Sequence, residues 1–266
     1  MKSSALSAQI YCFLIFVFLF SPTLAIVVFS FESSGSGTLP FAGFTLNWYQ
    51  DIFSQIVVIK AFRSSIFVAL LTMVLAVSVG TLASYGLFKR RTKMGQAIIT
   101  TAMLPLAIPY LVLGVSLLSI FRFTGIALSL VTVAIGHLLI SLPIVLVTVN
   151  AQFASFDPAV EEAARDLGAS GWKAFKTITF PMIRPSVMGA GLLVFAISLD
   201  EFVVSLFTIG AQSTVPIVVW GQMRRGVSPS VNAISTLLLL VTAGLVLLAR
   251  KFSGAQMGSK DLVVVD

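Results

Sequence analysis

Charge is scarce in this chain. Only 10% of its 266 residues are charged, against 58% that are hydrophobic, and the mean hydropathy is +1.03. A soluble protein of this length needs far more polar surface, so the composition excludes a soluble enzyme and points to a bilayer. Cysteine occurs once, as Cys12, so the chain can form neither an intrachain disulfide nor a thiolate metal cluster. That cysteine lies in an apolar run and reads as a small hydrophobe. Histidine also occurs once, at His137, with no second ligand type near it in sequence; packing between helices outweighs metal binding there. A GxxxxGK[ST] phosphate loop is missing: the tail GAQMGSK has glycine, serine and lysine without the spacing or a preceding strand. The net charge of +7 does not imply nucleic acid, because lysine and arginine cluster in short loops between apolar runs, as membrane topology requires.

What is abundant is long apolar sequence. A membrane-crossing helix needs about 20 predominantly apolar residues, and six segments qualify: Ile10–Phe31, Ser64–Phe88, Ala97–Phe121, Ile126–Val149, Pro185–Ile209 and Val231–Ala249. The first is preceded by Lys2 but is too long for a signal peptide and lacks a clean cleavage site, so it reads as a retained helix. Pro105 and Pro109 interrupt the third segment and Pro143 the fourth, each removing a backbone donor. No repeat or second domain is visible, and 1–266 reads as one transmembrane domain.

Basic residues in the short loops orient the chain. With both termini cytoplasmic, only Lys60, Arg63, Arg122, Arg224 and Arg225 of the 17 lysines and arginines fall outside. Two longer external connections follow. FTLNWYQDIF, with Trp48 and Tyr49, suits a helix at the membrane interface, and Gly210 to Ser230 holds Trp220 and a GVSP turn. The Arg224 and Arg225 pair suits either interfacial anchoring or the acidic rim of an external partner.

One polar insert stands out on the cytoplasmic side, DPAVEEAARDLGASGWKAFKTITFP, from Asp157 to Pro181. Asp157 is an N-cap acceptor and Pro158 a proline at N1, so a helix starts there and runs to Leu167, where Gly168 is placed to end it in the left-handed conformation. Ser170 caps a second helix, from Gly171 to about Ile178, with Pro181 as its stop. On the first helix Ala159, Val160, Ala163, Ala164 and Leu167 form an apolar stripe, Glu161, Glu162, Arg165 and Asp166 cover the other side, and Glu161 with Arg165 makes an i, i+4 pair. Helices this short are unstable alone in water, so they dock on their own membrane domain or on another protein.

Within the insert, Glu162, Ala163, Ala164, Gly168, Ile178 and Pro181 fall on the pattern EAA, three residues, Gly, nine residues, Ile, one residue, Leu-Pro, with Phe180 in place of the leucine. This resembles the cytoplasmic signature of binding-protein-dependent ABC importer permeases. SLDEFVVSLF, TVPIVVWGQMRRGVSPSVNAIST and FTLNWYQDIF are similar to the second permease subunit of spermidine and putrescine importers. The resemblance implies an all-α, polytopic type I ABC importer permease fold in a bacterial inner membrane, with six transmembrane helices and the insert as a coupling-helix pair seated on a separate ATPase. It implies as partners two ATPase subunits, a second and different permease, a solute-binding protein and membrane lipid. The chain itself would be no enzyme and would hold no cofactor, ATP and magnesium being bound by the ATPase subunits. Glu162 and Gly168 are the central expectations for coupling, as the charge facing the ATPase and the turn that sets the angle between the helices.

Only Asp200 and Glu201 place acidic groups inside a span, about 22 Å along a helix counted from Pro185. Such residues face a cavity or a partner, because lipid exposure costs on the order of 3 kcal/mol. Ser198, Glu201, Ser205 and Thr208 recur at helical spacing as one polar stripe, so Glu201 is the better candidate for the substrate pathway, and Asp200, about 100° round, pairs with a neighbouring helix or the partner permease. No lysine or arginine lies within the spans to neutralise the two, which favours a cationic solute over a neutral hydrogen-bonded structural pair. Relatives on this scaffold also carry opine-type, amino-acid-derived and aminophosphonate solutes. An ion-coupled secondary transporter is the rival class, but neither inverted repeats nor matched broken helices are visible.

Overall fold

A computed structural model describes residues 2–35, 40–89, 92–224, 226 and 228–254. Among these there is no strand, only an isolated bridge between Glu32 and Phe44. Arg90, Arg91, Arg225 and the GAQMGSK tail beyond Gly254 lie outside the described residues.

The chain runs through α1 (Lys2–Phe29), α2 (Asn47–Ser54), α3 (Ile56–Lys89), α4 (Lys93–Ala102), α5 (Leu104–Ala107), α6 (Tyr110–Phe123) and α7 (Leu130–Ala154). It continues with α8 (Pro158–Asp166), α9 (Gly171–Ala174), α10 (Phe180–Asp200), α11 (Val203–Thr208), α12 (Val215–Met223) and α13 (Pro229–Gly254). Among the described residues five helices are long and apolar enough to cross a bilayer, and a sixth crossing is made if the bent pair Ala97–Ala107 and Tyr110–Phe123 counts as one span. The bend of 102° has a local cause. Ile108, before Pro109, is extended (ψ 128°), the conformation that a following proline imposes, and Pro109 has no N–H with which to continue the helix. Pro143, by contrast, lies inside the single helix α7.

Two compact units are present: Met1–Lys60 with Val218–Leu240, and Ala61–Ile217 with Val241–Asp266. In the first, α2 is the helix expected within FTLNWYQDIF. Tyr49 Oη lies 2.7 Å from Ser30 Oγ, and Trp48 Nε1 donates to the Glu32 carbonyl at 2.7 Å. In the second, α3, α7 and α10 share a core of Ala76, Val145, Val149, Ile183, Val187, Ala190 and Val194, which continues into an aromatic cluster at one end. There Phe88 meets Phe153 and Phe156 at ring separations of 4.8 and 5.5 Å, and Tyr85 meets Phe175 at 4.6 Å. Such pairs contribute about 0.5–1.5 kcal/mol each beyond area burial, so this end of the bundle is a firm seat for what lies against it.

The fifth span departs from expectation at both ends. Pro181 does not stop the second insert helix. Residues Phe175–Thr179 form a π-helical turn, with the Phe180 N–H donating to the Phe175 carbonyl, and the helix passes without interruption from Gly171 to Asp200. The wider turn accommodates a proline that an α-helical ladder would reject. At the other end the expected run to Ile209 breaks: Glu201 is extended (ψ 117°), and α11 begins separately at Val203.

Candidate functional site

Two polar centres emerge in the second unit, the insert and the break after Asp200. The insert's first helix starts and ends as the residues predict. The Asp157 side chain accepts from the Ala159 N–H at 2.9 Å, with Pro158 behind it. Gly168 has φ +90°, its N–H donates to Arg165 O and that of Ala169 to Ala164 O, the two bonds of a Schellman cap. Ser170 caps α9 through the Lys173 N–H at 3.3 Å.

The facing of α8 departs from the expected one at Glu161. Grouped with Glu162, Arg165 and Asp166 on the side opposite the apolar stripe, it is 0% exposed and is the buried residue of the helix, while the other three are exposed. Its Oε1 accepts from Lys89 Nζ at 2.6 Å and from Tyr85 Oη at 2.8 Å, and its Oε2 accepts from Thr179 Oγ1 at 2.8 Å. The i, i+4 pairing with Arg165 is thus displaced by Lys89, which sits 72 residues earlier in the chain and becomes a neighbour only through tertiary packing. The apolar stripe points away instead: Ala159, Val160 and Ala163 are exposed, Leu167 is 90% exposed and Trp172 on α9 67%. Among the residues of the EAA pattern, Glu162, Ala163, Gly168 and Pro181 are exposed, and Ala164 and Ile178 half-buried. Lys89 and Tyr85 were legible only as a basic helix end and an aromatic one turn before it.

Burial alone would push the Glu161 carboxyl up, but the Lys89 ammonium and the Tyr85 and Thr179 hydroxyls stabilise the ionised form more strongly and hold it below its ordinary value. A lowered folded-state pKa means that the stabilisation is complete above the ordinary glutamate value, about 4.3, and is lost as pH falls through the lower one. The melting-temperature gap between the parent and Glu161→Gln is therefore expected to be wide at pH 7 and to narrow in acid. A gap that does not change with pH would show that the charge contributes nothing.

The second centre surrounds His137, which joins α7 to the break. Its Nδ1 lies 2.7 Å from Ser198 Oγ, and its Nε2 lies 2.9 Å from Ser205 Oγ and 3.1 Å from Glu201 Oε2. The Ser205 hydroxyl donates to the Glu201 carbonyl at 3.0 Å, so Nε2 must carry the hydrogen that Ser205 and the carboxylate share. Both Glu201 oxygens also accept backbone N–H groups at 3.0 Å, from Val204 and Ser205, so this carboxylate caps α11. Thr208, at the end of α11, is buried, and its carbonyl accepts from Thr132 Oγ1 of α7 at 2.7 Å. Close packing completes the seat: a Cβ on Gly136 would lie 2.6 Å from Val204 Cγ1.

Of the expected polar stripe, Ser198, Glu201 and Ser205 meet at His137 although the helix carrying them is broken, whereas the Thr208 hydroxyl donates to the Val204 carbonyl and stands apart from them. These three turn inward on the histidine, however, and Glu201 is only 7% exposed. Asp200, the last residue of α10, is exposed and accepts one hydrogen bond, from Thr242 Oγ1 of α13 at 3.2 Å, which is the neighbouring-helix contact expected for it.

Residues 76–254 match the family described as binding-protein-dependent transport system inner membrane component. The spermidine/putrescine transport system permease protein PotC of Haemophilus influenzae is 33% identical over 241 residues, 90% of this chain and 93% of that protein. The putrescine transport system permease protein PotI of Escherichia coli K12 is 34% identical over 236 residues, covering 84% and 82%. Among solved structures, a chain of a bacterial ABC transporter involved in the import of the acidic polysaccharide alginate superposes with a TM-score of 0.72 at 15% identity, over 96% of both chains. The MetNI methionine ABC transporter, in an inward-facing conformation, gives 0.63 at 13% identity, over 75% of this chain and 95% of that one. At these identities the structures share the fold.

Proposed function

The chain belongs to the family of binding-protein-dependent transport system inner membrane components, the permease subunits of ATP-driven ABC importers, and from that premise we propose that it carries a small cationic amine of the polyamine type. The observation that carries the substrate reading is the break after α10. Asp200 stands exposed at the carboxyl end of a helix, where unpaired carbonyls add partial negative charge. Among the described residues no lysine or arginine pairs with it. An exposed carboxylate in a span faces a cavity or a partner subunit rather than lipid, and an unwound turn with a helix carboxyl end beside it is the arrangement by which broken membrane helices hold cations. Glu201, capping α11 and paired to His137, supports the shape of the break, so the pathway role falls on Asp200.

In this reading the insert faces the cytoplasm, as do both termini. The exposed Glu162, Ala163, Leu167 and Trp172 receive one of two ATPase subunits, a companion permease supplies the other half of the pathway, and an external solute-binding protein delivers the solute. ATP and magnesium belong to the ATPase subunits.

Uptake of labelled spermidine by the reconstituted importer tests the reading. Asp200→Asn is expected to raise KM at least about tenfold, the loss of one charge-assisted contact of 1.5–3 kcal/mol, with membrane insertion unchanged. Unaltered kinetics, or uptake indifferent to spermidine and putrescine, would refute the polyamine assignment.

A further inference from the structure

We propose that Lys89 and Glu161, with Tyr85 and Thr179, form the joint through which movement of the insert reaches the membrane spans, and that the two charged residues are positioning residues for coupling. This rests on the reading that α8 and α9 receive an ATPase subunit, and it adds how the received motion is passed on.

A lever transmits force only if its own mounting is stiff. The nine residues of α8 are too few to hold a helix by themselves. The helix hangs between a short connection from α7 and the left-handed Gly168, and most of its apolar side chains point outward. Inward, its fully buried side chain is Glu161. That one carboxylate joins three places: Lys89 and Tyr85 in the last two turns of α3, and Thr179 in the π-helical turn that leads into α10. Displacing α8 therefore pulls on two membrane helices at once.

The chemistry suits a joint better than apolar packing would. Hydrophobic contact is non-directional and would let a short helix roll or slide, whereas charge-assisted hydrogen bonds from three donors fix both position and rotation. The donors are themselves held. Tyr85 stacks against Phe175 at 4.6 Å, Trp172 lies 5.4 Å from the same ring, and Lys89 Nζ lies 5.8 Å above the Tyr85 ring. Two adjacent glutamates thus divide the work, one bound inside its own chain and the other left exposed for a partner.

The test uses the whole assembly in proteoliposomes, with Glu161→Gln, Lys89→Met and Lys89→Arg. Glu161→Gln keeps the shape of the side chain and removes the charge; one of the two oxygens that accept from the Tyr85 and Thr179 hydroxyls becomes an amide donor, which a rotated hydroxyl can accept. In Glu161→Gln and Lys89→Met the permease is expected to copurify with its ATPase subunits and ATP hydrolysis to persist. Stimulation by the spermidine-loaded solute-binding protein should vanish, and uptake should fall at least about tenfold, within the range that coupling free energies span. Lys89→Arg should retain uptake. Normal uptake in both disrupted variants overturns the proposal. So does loss of copurification together with uptake, which would make the cluster a fold support only. Glu162→Lys in the same assay separates the two levels: if it blocks uptake while the Glu161 and Lys89 variants transport normally, the docking reading stands and the joint falls; if it too transports normally, the docking reading fails.

Discussion

Glu162→Lys is expected to cut uptake at least about tenfold while the chain inserts and melts like the parent. The second half follows from exposure: Glu162 lies on the open side of α8, and substitutions at such positions usually shift stability by less than about 0.5 kcal/mol. The first half follows from its surroundings. Glu162 is flanked by exposed Ala163, Val160 and Leu167, with Trp172 exposed on α9, an apolar surface that invites a partner around the acidic side chains of Glu162 and Asp166. Reversing the charge sets it against whatever positive group the partner offers, and like-charge contact at an interface costs several kcal/mol. Each 1.4 kcal/mol is a factor of ten in the docked population. Copurification of the ATPase and uptake, measured on one preparation, check this; full uptake by the variant would remove Glu162 from the docking surface.

The largest loss of stability is expected for His137→Leu. The change leaves Glu201 and the hydroxyls of Ser198 and Ser205 buried without their shared partner, and a buried polar group left unsatisfied costs about 1–3 kcal/mol, more for a carboxylate. Removing the carboxylate as well should recover part of that loss, since a buried pair replaced on both sides is often close to neutral. Recovery stays incomplete because Glu201 also caps α11 through Val204 and Ser205. Melting of His137→Leu, Glu201→Leu and the double variant in detergent gives the coupling energy directly. Simply additive losses would mean that the two side chains do not act together.

Much of this architecture was legible in the residues because it depends on local rules. The apolar runs located the crossings, since a bilayer demands about 20 such residues wherever they occur. Asp157, Pro158, Gly168 and Ser170 marked the insert's helix ends because capping is decided within four residues. Pro109 foretold the broken third span, its fixed φ and missing N–H acting on its own turn. The EAA pattern carries the family signature within 20 consecutive residues, Glu162 to Pro181.

What tertiary structure alone decided is which polar groups meet. Periodicity grouped Glu161 with Glu162, Arg165 and Asp166 on the polar side of α8, because spacing on one helix cannot show that the end of α3 arrives with a lysine and a tyrosine. It likewise favoured Glu201 over Asp200 for the pathway by assuming an unbroken helix. The break turns Glu201 inward to cap α11 and hold His137, and leaves Asp200 open. The physical reason is the same in both places: a buried carboxylate is stable only where donors converge on it, and those donors come from α3 and the π-helical turn in one case and from α7 and α11 in the other.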